Sequence, residues 1–314
     1  MRGAGFILLI AVLTLFSCGS RGPKKVIDTP TSGVIIITSD ESFAPIMEEE
    51  IDLFEYRYPN ASIIPIYKSE VEAMDLLLSD SVKFAVTTRD FTQAEKELIR
   101  SKKKRPISFR IAKDAIALII NKNNPDSMLT VQQVKDILTG KISSWQDINP
   151  KSRLKELSLT FDNKNSSTVR YALDSICKGE PLSGKNIYAQ GTNEKVIDYV
   201  AATPGAIGVI GASWVGNEND STNMSFSDRV KVVAMSRDGV ATAANSYQPY
   251  QAYIALDYYP FTRYVYALDI SSYTGLARGF SNFLASDKGQ LIILKAGMMP
   301  TTQQVVIKPV KITE

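Results

Sequence analysis

Val34-Ile35-Ile36-Ile37-Thr38-Ser39-Asp40-Glu41-Ser42-Phe43-Ala44-Pro45-Ile46-Met47 decides the fold. Val34 to Thr38 is a β-branched run of strand length, Ser39 to Phe43 makes a polar loop, and Pro45 suits the first turn of a helix, where its missing N–H is not needed. Met47, Ile51, Phe54 and Tyr58 then fall at helical spacing as far as Pro59-Asn60. Strand, loop and helix in that order are the step of an α/β domain with a largely parallel sheet, and the chain goes on repeating it.

Ile63 to Tyr67 reads as the second strand, Ser69 opens a short helix, and Val82 to Thr87 reads as the third strand. Thr92-Gln93-Ala94-Glu95 and Thr130-Val131-Gln132-Gln133 are capping boxes, each opening a helix; the second ends at Gly140. Between them, Ile107 to Asn121 is a long aliphatic extended run, interrupted by Lys113-Asp114, that suits a crossing between domains. Strand Leu157 to Phe161 delivers the loop Asp162 to Thr168, after which Val169, Leu173 and Ile176 share a helix face. Thr203-Pro204-Gly205 breaks the helix before strand Ala206 to Ile210, and Val230 to Ala234 adds another strand. Tyr253 to Leu256 is expected to carry the chain back in a second crossing, before a helix bearing Leu276, Phe280, Phe283 and Leu284 and a stop at Gly297. The Gly/Asn/Ser-rich stretch Gly216 to Ser227 suits a mobile surface loop.

At 314 residues, with 44% hydrophobic and 22% charged content, the chain is long enough for about two domains. The net charge of +3 comes from 36 basic and 33 acidic residues, a balance that speaks against a nucleic-acid groove. The basic run Lys102 to Arg105 reads as a solvated helix end. At the N-terminus, Arg2 and the apolar run Phe6 to Phe16 have the layout of a signal peptide, and the run is shorter than the ~20 apolar residues of a membrane-spanning helix. Ser17 before Cys18 resembles the lipobox of bacterial lipoproteins. Residues 1–17 are therefore expected to be removed and residues 18–32 to form a lipid-anchored tether, with Cys18 acylated and the protein exported and held at the cell membrane, facing the periplasm or exterior. With Cys18 so used, Cys177 has no disulfide partner in the chain and reads as a packed small hydrophobe.

Histidine is absent, which removes the serine–histidine and cysteine–histidine nucleophile systems and most catalytic zinc sites. Ser-x-x-Lys matches at Ser101 and Ser152 lack the companion elements of serine–lysine acyl enzymes. Consecutive Glu48, Glu49 and Glu50 fan around a helix and read as solvated surface. No enzyme activity, metal or cofactor is expected.

A helix N-terminus offers unpaired N–H groups and a positive dipole end, so it holds an oxyanion without many side-chain charges. Such starts follow the first strand (Ser39, Ser42, Phe43), the second (Ser69) and precede Val169 (Ser166, Ser167, Thr168), and all lie at strand carboxyl ends, where open α/β sheets bind ligands. A single hydroxyl serves as an N-cap; three in a row exceed that need. Arg89 and Arg170 are candidate fork-shaped donors to the same anion.

With these residues in view, the chain resembles the phosphate-binding proteins of ABC transporters over nearly its whole mature length. Leu129 to Trp145, with Gly140-Lys141-Ile142 and Trp145, carries the most specific match; Ala202 to Gly208, Tyr259-Pro260-Phe261-Thr262-Arg263 and Ser286 to Pro300 carry the others. The resemblance implies the two-lobed periplasmic binding protein type II fold, with two crossovers and a ligand cleft between lobes formed by residues 33–112 plus 250–314 and by residues 113–249. It implies capture of inorganic phosphate, delivery to permease and ATPase subunits, and a monomer. Ser42 and Phe43 match the family's threonine-phenylalanine pair, Ser69 its second-loop serine, and Ser166-Ser167-Thr168 its serine-glycine-threonine. Asp162, however, stands where the family has an arginine, and Thr88, beside Arg89, where it has the aspartate that accepts a hydrogen bond from protonated phosphate and repels sulfate. Another oxyanion (sulfate, molybdate or a phosphorylated small molecule) and a surface lipoprotein without transport are the alternatives.

Overall fold

A computed structural model of the protein describes residues 28–217, 220 and 225–303. The signal peptide, Cys18, the tether as far as residue 27 and half of the expected Gly216–Ser227 loop lie outside the described residues. The strands in chain order are β1 (Ser32–Asp40), β2 (Asn60–Lys68), β3 (Phe84–Thr87), β4 (Ile107–Ile120), β5 (Met128–Thr130), β6 (Ser158–Phe161), β7 (Ile187–Ala189), β8 (Ala206–Gly211), β9 (Lys231–Val232), β10 (Ala234–Ser236), β11 (Thr262–Asp269) and β12 (Met299–Pro300).

The β-branched runs pair as two parallel groups joined by antiparallel strands. β1 lies parallel to β2 and β3, β6 lies parallel to β7 and β8, and the order across the whole is β2-β1-β3-β11-β4-β8-β6-β7. β4 makes the crossing that its length predicts: its first half pairs antiparallel with β11 and its second half, Ile116 to Ile120, pairs with β8. Each half then meets a different core. Ile37, Met47, Phe54, Phe84, Ala112, Val265 and Phe280 belong to one; Ile116, Leu118, Trp145, Leu159, Ile207, Tyr259 and Phe261 belong to the other. These are the two lobes, and β4 with β11 connects them.

The return crossing differs from expectation. Tyr253 falls in a short helix, Gln251–Ala255, whose Ile254 packs in the second core, and the chain crosses back at Phe261, whose carbonyl accepts from Ile116 N at 2.8 Å, and along β11. A brief apolar run does not distinguish a buried helical turn from a strand by periodicity, which is how the sequence misleads here.

Helices form where local signals ask for them. Ala44–Arg57 has proline in its first turn and buries Met47, Ile51 and Phe54; Gln93–Ser101 and Val131–Leu138 both open on the expected capping boxes. Phe54 meets Phe280 edge-on at 5.3 Å, tying the helices Ala44–Arg57 and Leu276–Leu284 across the first core. Glu50 departs from its expected exposure: it is buried, neither oxygen has a hydrogen-bond partner among the described residues, and burial, with the Glu49 charge, pushes its pKa up to about 9. The polar run read as a tether is docked on the first lobe from Asp28 onward. Asp28 accepts from Leu276 N and from Tyr273 Oη, each at 2.6 Å, and so caps a helix whose own N-cap, Gly275, has no side chain. A Cβ at Gly279 would lie 1.7 Å from the Pro30 carbonyl oxygen, so only glycine lets the chain pass.

Candidate anion-binding cleft

The loops that leave β1 and β6 meet between the lobes. Asp40 ends β1 and caps a single 3-10 turn, Glu41–Phe43: its Oδ1 accepts from Ser42 N at 2.8 Å. Across the cleft, Ser166 caps the helix Ser167–Tyr171, accepting from Val169 N at 3.4 Å. Thr168 Oγ1 contacts Ser166 Oγ at 2.7 Å and donates to Asp162 Oδ1 at 2.6 Å. One of the three hydroxyls therefore caps the helix, and another satisfies the carboxylate of Asp162, which stands where the family has an arginine.

Ser167 meets the group that sequence reasoning missed as a site residue. Arg263, on β11, is buried; its Nη1 donates to Ser167 Oγ at 2.7 Å and its Nε to Asp114 Oδ2 at 2.8 Å. Its guanidinium carbon lies 5.1 Å from the centroid of the Phe43 ring. Arg263 Nη2 has no hydrogen-bond partner among the described residues, nor have Ser42 Oγ, Asp40 Oδ2 and Asp114 Oδ1. Gly211 keeps the space open: a Cβ there would come within 3.5 Å of Arg263 Nη2 and 3.7 Å of Ser42. The signal in the sequence was Lys113-Asp114, a charge breaking an apolar run, because a buried carboxylate calls for a counter-charge.

Arg170 and Thr88 have another role. Glu70, buried at the start of the helix Glu70–Leu78, accepts from Thr88 N and Oγ1 at 2.7 Å each, and from Arg170 Nη2 at 3.3 Å as well as its Nε. Arg170 Nη2 also reaches Thr88 Oγ1 at 2.5 Å. This ties the second lobe to the first. Trp214 Nε1 donating to Ser42 O at 2.9 Å and Asn193 Nδ2 donating to Glu41 do the same. Ser69 spends its hydroxyl in a capping box with Glu72, and Ser39 Oγ donates to the Asp40 carbonyl at 3.1 Å. Arg89 is bidentate to Glu95 at 2.7 and 2.8 Å, so the structure does not bring it into the cluster.

Burial sets the electrostatics. It pushes Asp40 up to about 6, opposed by Arg263 and reinforced by Glu70 and Asp162, and pushes Glu41 up to about 7 against the Asn193 hydrogen bond. Burial also raises Asp114 despite Arg263. Glu70 goes the other way: burial would raise it, but Arg170 and Thr88 outweigh that and hold it below the usual range. A groove of about 1040 Å³ opens beside the cluster, between Pro45, Glu49 and Lys295 on one side and Glu194, Trp214 and Arg229 on the other. Among the described residues no group of acidic or cysteine side chains is arranged to hold a metal ion.

Two α/β lobes on a pair of crossing strands, with polar groups from both converging between them, define a two-lobed solute-binding protein. The chain belongs to the PBP superfamily, whose domain matches residues 25–288. It is 25% identical over 318 residues to the phosphate-binding protein PstS of Bacillus subtilis, spanning 96% of this chain and 95% of that protein. A second relative, phosphate-binding protein PstS 2 of Streptococcus agalactiae, is 31% identical over 121 residues, 38% of this chain and 39% of that one. Among solved structures, a phosphate ABC transporter substrate-binding protein with bound phosphate from Clostridium perfringens superposes with a TM-score of 0.69 at 22% identity, covering 86% of this chain and all of that one (100%). An ABC-type phosphate transport receptor from Vibrio cholerae gives 0.64 at 20% identity, again over 86% of this chain and 100% of that one. These last likenesses are of fold.

Proposed function

We propose that the chain captures inorganic phosphate between its lobes and presents it to the permease of an ABC transporter, without covalent chemistry. The observation that carries this is Arg263: a buried guanidinium with Nη2 unpartnered, beside Ser42 Oγ, also unpartnered, in space that Gly211 leaves open. Leaving such a donor unsatisfied costs about 1–3 kcal/mol, and an oxyanion removes that cost while Ser167 and Asp114 hold the guanidinium in place. The names of the relatives that span the chain support phosphate as the anion. Ser42, Phe43, Ser166, Ser167, Thr168 and Arg263 form the site, and Glu70, Thr88 and Arg170 fasten the closed lobes. Closure turns on β4 and β11, with the lobes divided near residues 112 and 261.

Cys18 carries the lipid anchor, residues 1–17 are removed, and the protein works as an exported monomer with permease and ATPase partners. No helix among the described residues is long and apolar enough to cross a membrane. A receptor for a different oxyanion is the second reading, favoured by Thr88, which binds Glu70 where the resemblance expects an aspartate free for ligand.

Isothermal calorimetry of the purified protein with phosphate tests the leading reading. Heat with one-to-one stoichiometry supports it; no heat with phosphate, but heat with molybdate or a phosphorylated sugar, moves the assignment to the second.

A further inference from the structure

The amino ends of β1, β2 and β3 lie together at one end of the first lobe, because the three strands run parallel. Antiparallel pairing puts the last residue of β11, Asp269, opposite Phe84 and Ile107 at that same end. The cleft loops leave the opposite, carboxyl ends. With nine residues in β1, the two ends stand roughly 30 Å apart. The described chain enters at the amino end, where Asp28 is bonded to Leu276 N and Tyr273 Oη just beyond β11. Between it and Cys18, residues 18–27 contain Arg21, Lys24 and Lys25 and no carboxylate. Fully extended they reach at most about 35 Å, so a lipid on Cys18 keeps this end of the lobe nearest the membrane.

That end is basic. The helix Gln93–Ser101 runs out there into Lys102-Lys103-Lys104-Arg105, and Lys83 immediately precedes β3. Asp80 is shared between Lys83 and Lys104 and so offsets only one of their charges. Lys102, Lys103 and Arg105 are exposed and pair with no carboxylate among the described residues; nor does exposed Arg57, which ends the helix Ala44–Arg57 beside the start of β2. Lys103 has a φ of 58°, a conformation that glycine adopts most easily, yet a long cation is placed there. A helix dipole accounts for cations in the last turn alone, whereas this run continues past the helix to Arg105. Two large exposed aromatics share the end: Tyr56, 83% exposed, and Tyr273, 61% exposed.

We propose that this end of the first lobe is a membrane-facing surface that rests on anionic phospholipid headgroups. The inference rests on the reading of Cys18 as the lipid anchor. The lipid supplies proximity and the cations supply orientation: headgroup phosphates meet Lys102, Lys103, Arg105 and Arg57, and the tyrosine rings, apolar with a polar tip, lie at headgroup depth. The cleft is then held roughly 30 Å from the bilayer surface, clear of the headgroup phosphates. Each contact is weak and screened by salt, so docking on a permease can displace the pose.

The test is lysine reactivity toward an amine-acylating reagent, read by mass spectrometry, on protein purified from membranes and reconstituted on vesicles. One set is phosphatidylcholine alone; the other adds phosphatidylglycerol at roughly one part in four. Lys102 and Lys103 are expected to react roughly fivefold more slowly on the anionic vesicles, the bias that one cation at an anionic surface gives, and to recover in about 0.5 M salt. Lys141, exposed on the second lobe, is expected to react equally on both. Lys102→Glu, Lys103→Glu and Arg105→Glu combined are expected to remove the protection of Lys83 while leaving the melting temperature unchanged. Protein that floats with both kinds of vesicle while Lys102 and Lys103 react equally overturns the surface alone, as does protection of Lys83 that survives the three substitutions. Protein that does not float with phosphatidylcholine vesicles overturns the anchor at Cys18 and this inference with it.

Discussion

Arg263 and Asp114 stand opposite each other in the antiparallel pairing of β11 with β4, and the arginine Nε donates to the aspartate Oδ2 at 2.8 Å with both side chains almost wholly buried. The pair sits on the strands that connect the lobes. It therefore fixes the guanidinium of the cleft to the strands that join the two lobes. Removing one partner of a buried ion pair leaves the other uncompensated, at a cost of about 3–5 kcal/mol. Asp114→Ala is expected to lower unfolding stability by that order in urea titrations and to abolish phosphate binding. A variant that keeps its affinity would separate Arg263 from the site.

Thr168→Val removes the hydroxyl that donates to Asp162 and contacts Ser166. A buried carboxylate oxygen left without its donor costs about 1–3 kcal/mol, and its charge then bears on the bound anion. Phosphate affinity is expected to fall by about that amount in calorimetry. An unchanged value would mean that the hydroxyls at this helix start serve the local fold only.

Glu70 and Arg170 join the lobes, and the lowered pKa of Glu70 gives the junction a pH dependence. Ionised Glu70 is favoured in the closed, folded form, so its contribution is present above its ordinary value of 4.5 and disappears as pH falls through the lowered one. Glu70→Gln is expected to speed phosphate release roughly fivefold at pH 7, about 1 kcal/mol once solvent screening at the partly exposed Arg170 is allowed for. Stopped-flow release rates check this. Equal rates would exclude the pair from holding the cleft closed.

Glu50, buried without partners, has its pKa raised, so the folded state binds a proton that the unfolded state gives up above pH 4.5. Stability therefore falls as pH rises from there toward 9. Glu50→Gln is expected to raise stability at pH 8 by about 2–4 kcal/mol and to flatten the fall. Denaturant midpoints at pH 6 and pH 8 measure both effects. A variant no more stable than the parent would mean that Glu50 is ionised and solvated.

The sequence by itself determined what depends on neighbours along the chain. The capping boxes at Thr92–Glu95 and Thr130–Gln133, the apolar spacing of Met47, Ile51 and Phe54, and the crossing length of Ile107 to Asn121 all act over a turn of helix or a run of strand, and each recurs in the structure. The Ser166 cap was legible for the same reason. Tertiary structure alone decided the partners. Arg263 reaches Asp114 across 149 positions and Glu70 meets Arg170 across 100; the break at Lys113-Asp114 calls for a counter-charge but names no partner, because both pairings are fixed by strand register and by how the lobes close. Glu50 and the turn at Tyr253 were misjudged on that account: an isolated helix face or a short apolar run has no burial of its own until another element packs against it. Arg170 is drawn to Glu70 and Arg263 to the cleft by the same rule, since a buried charge settles where the fold brings it a partner.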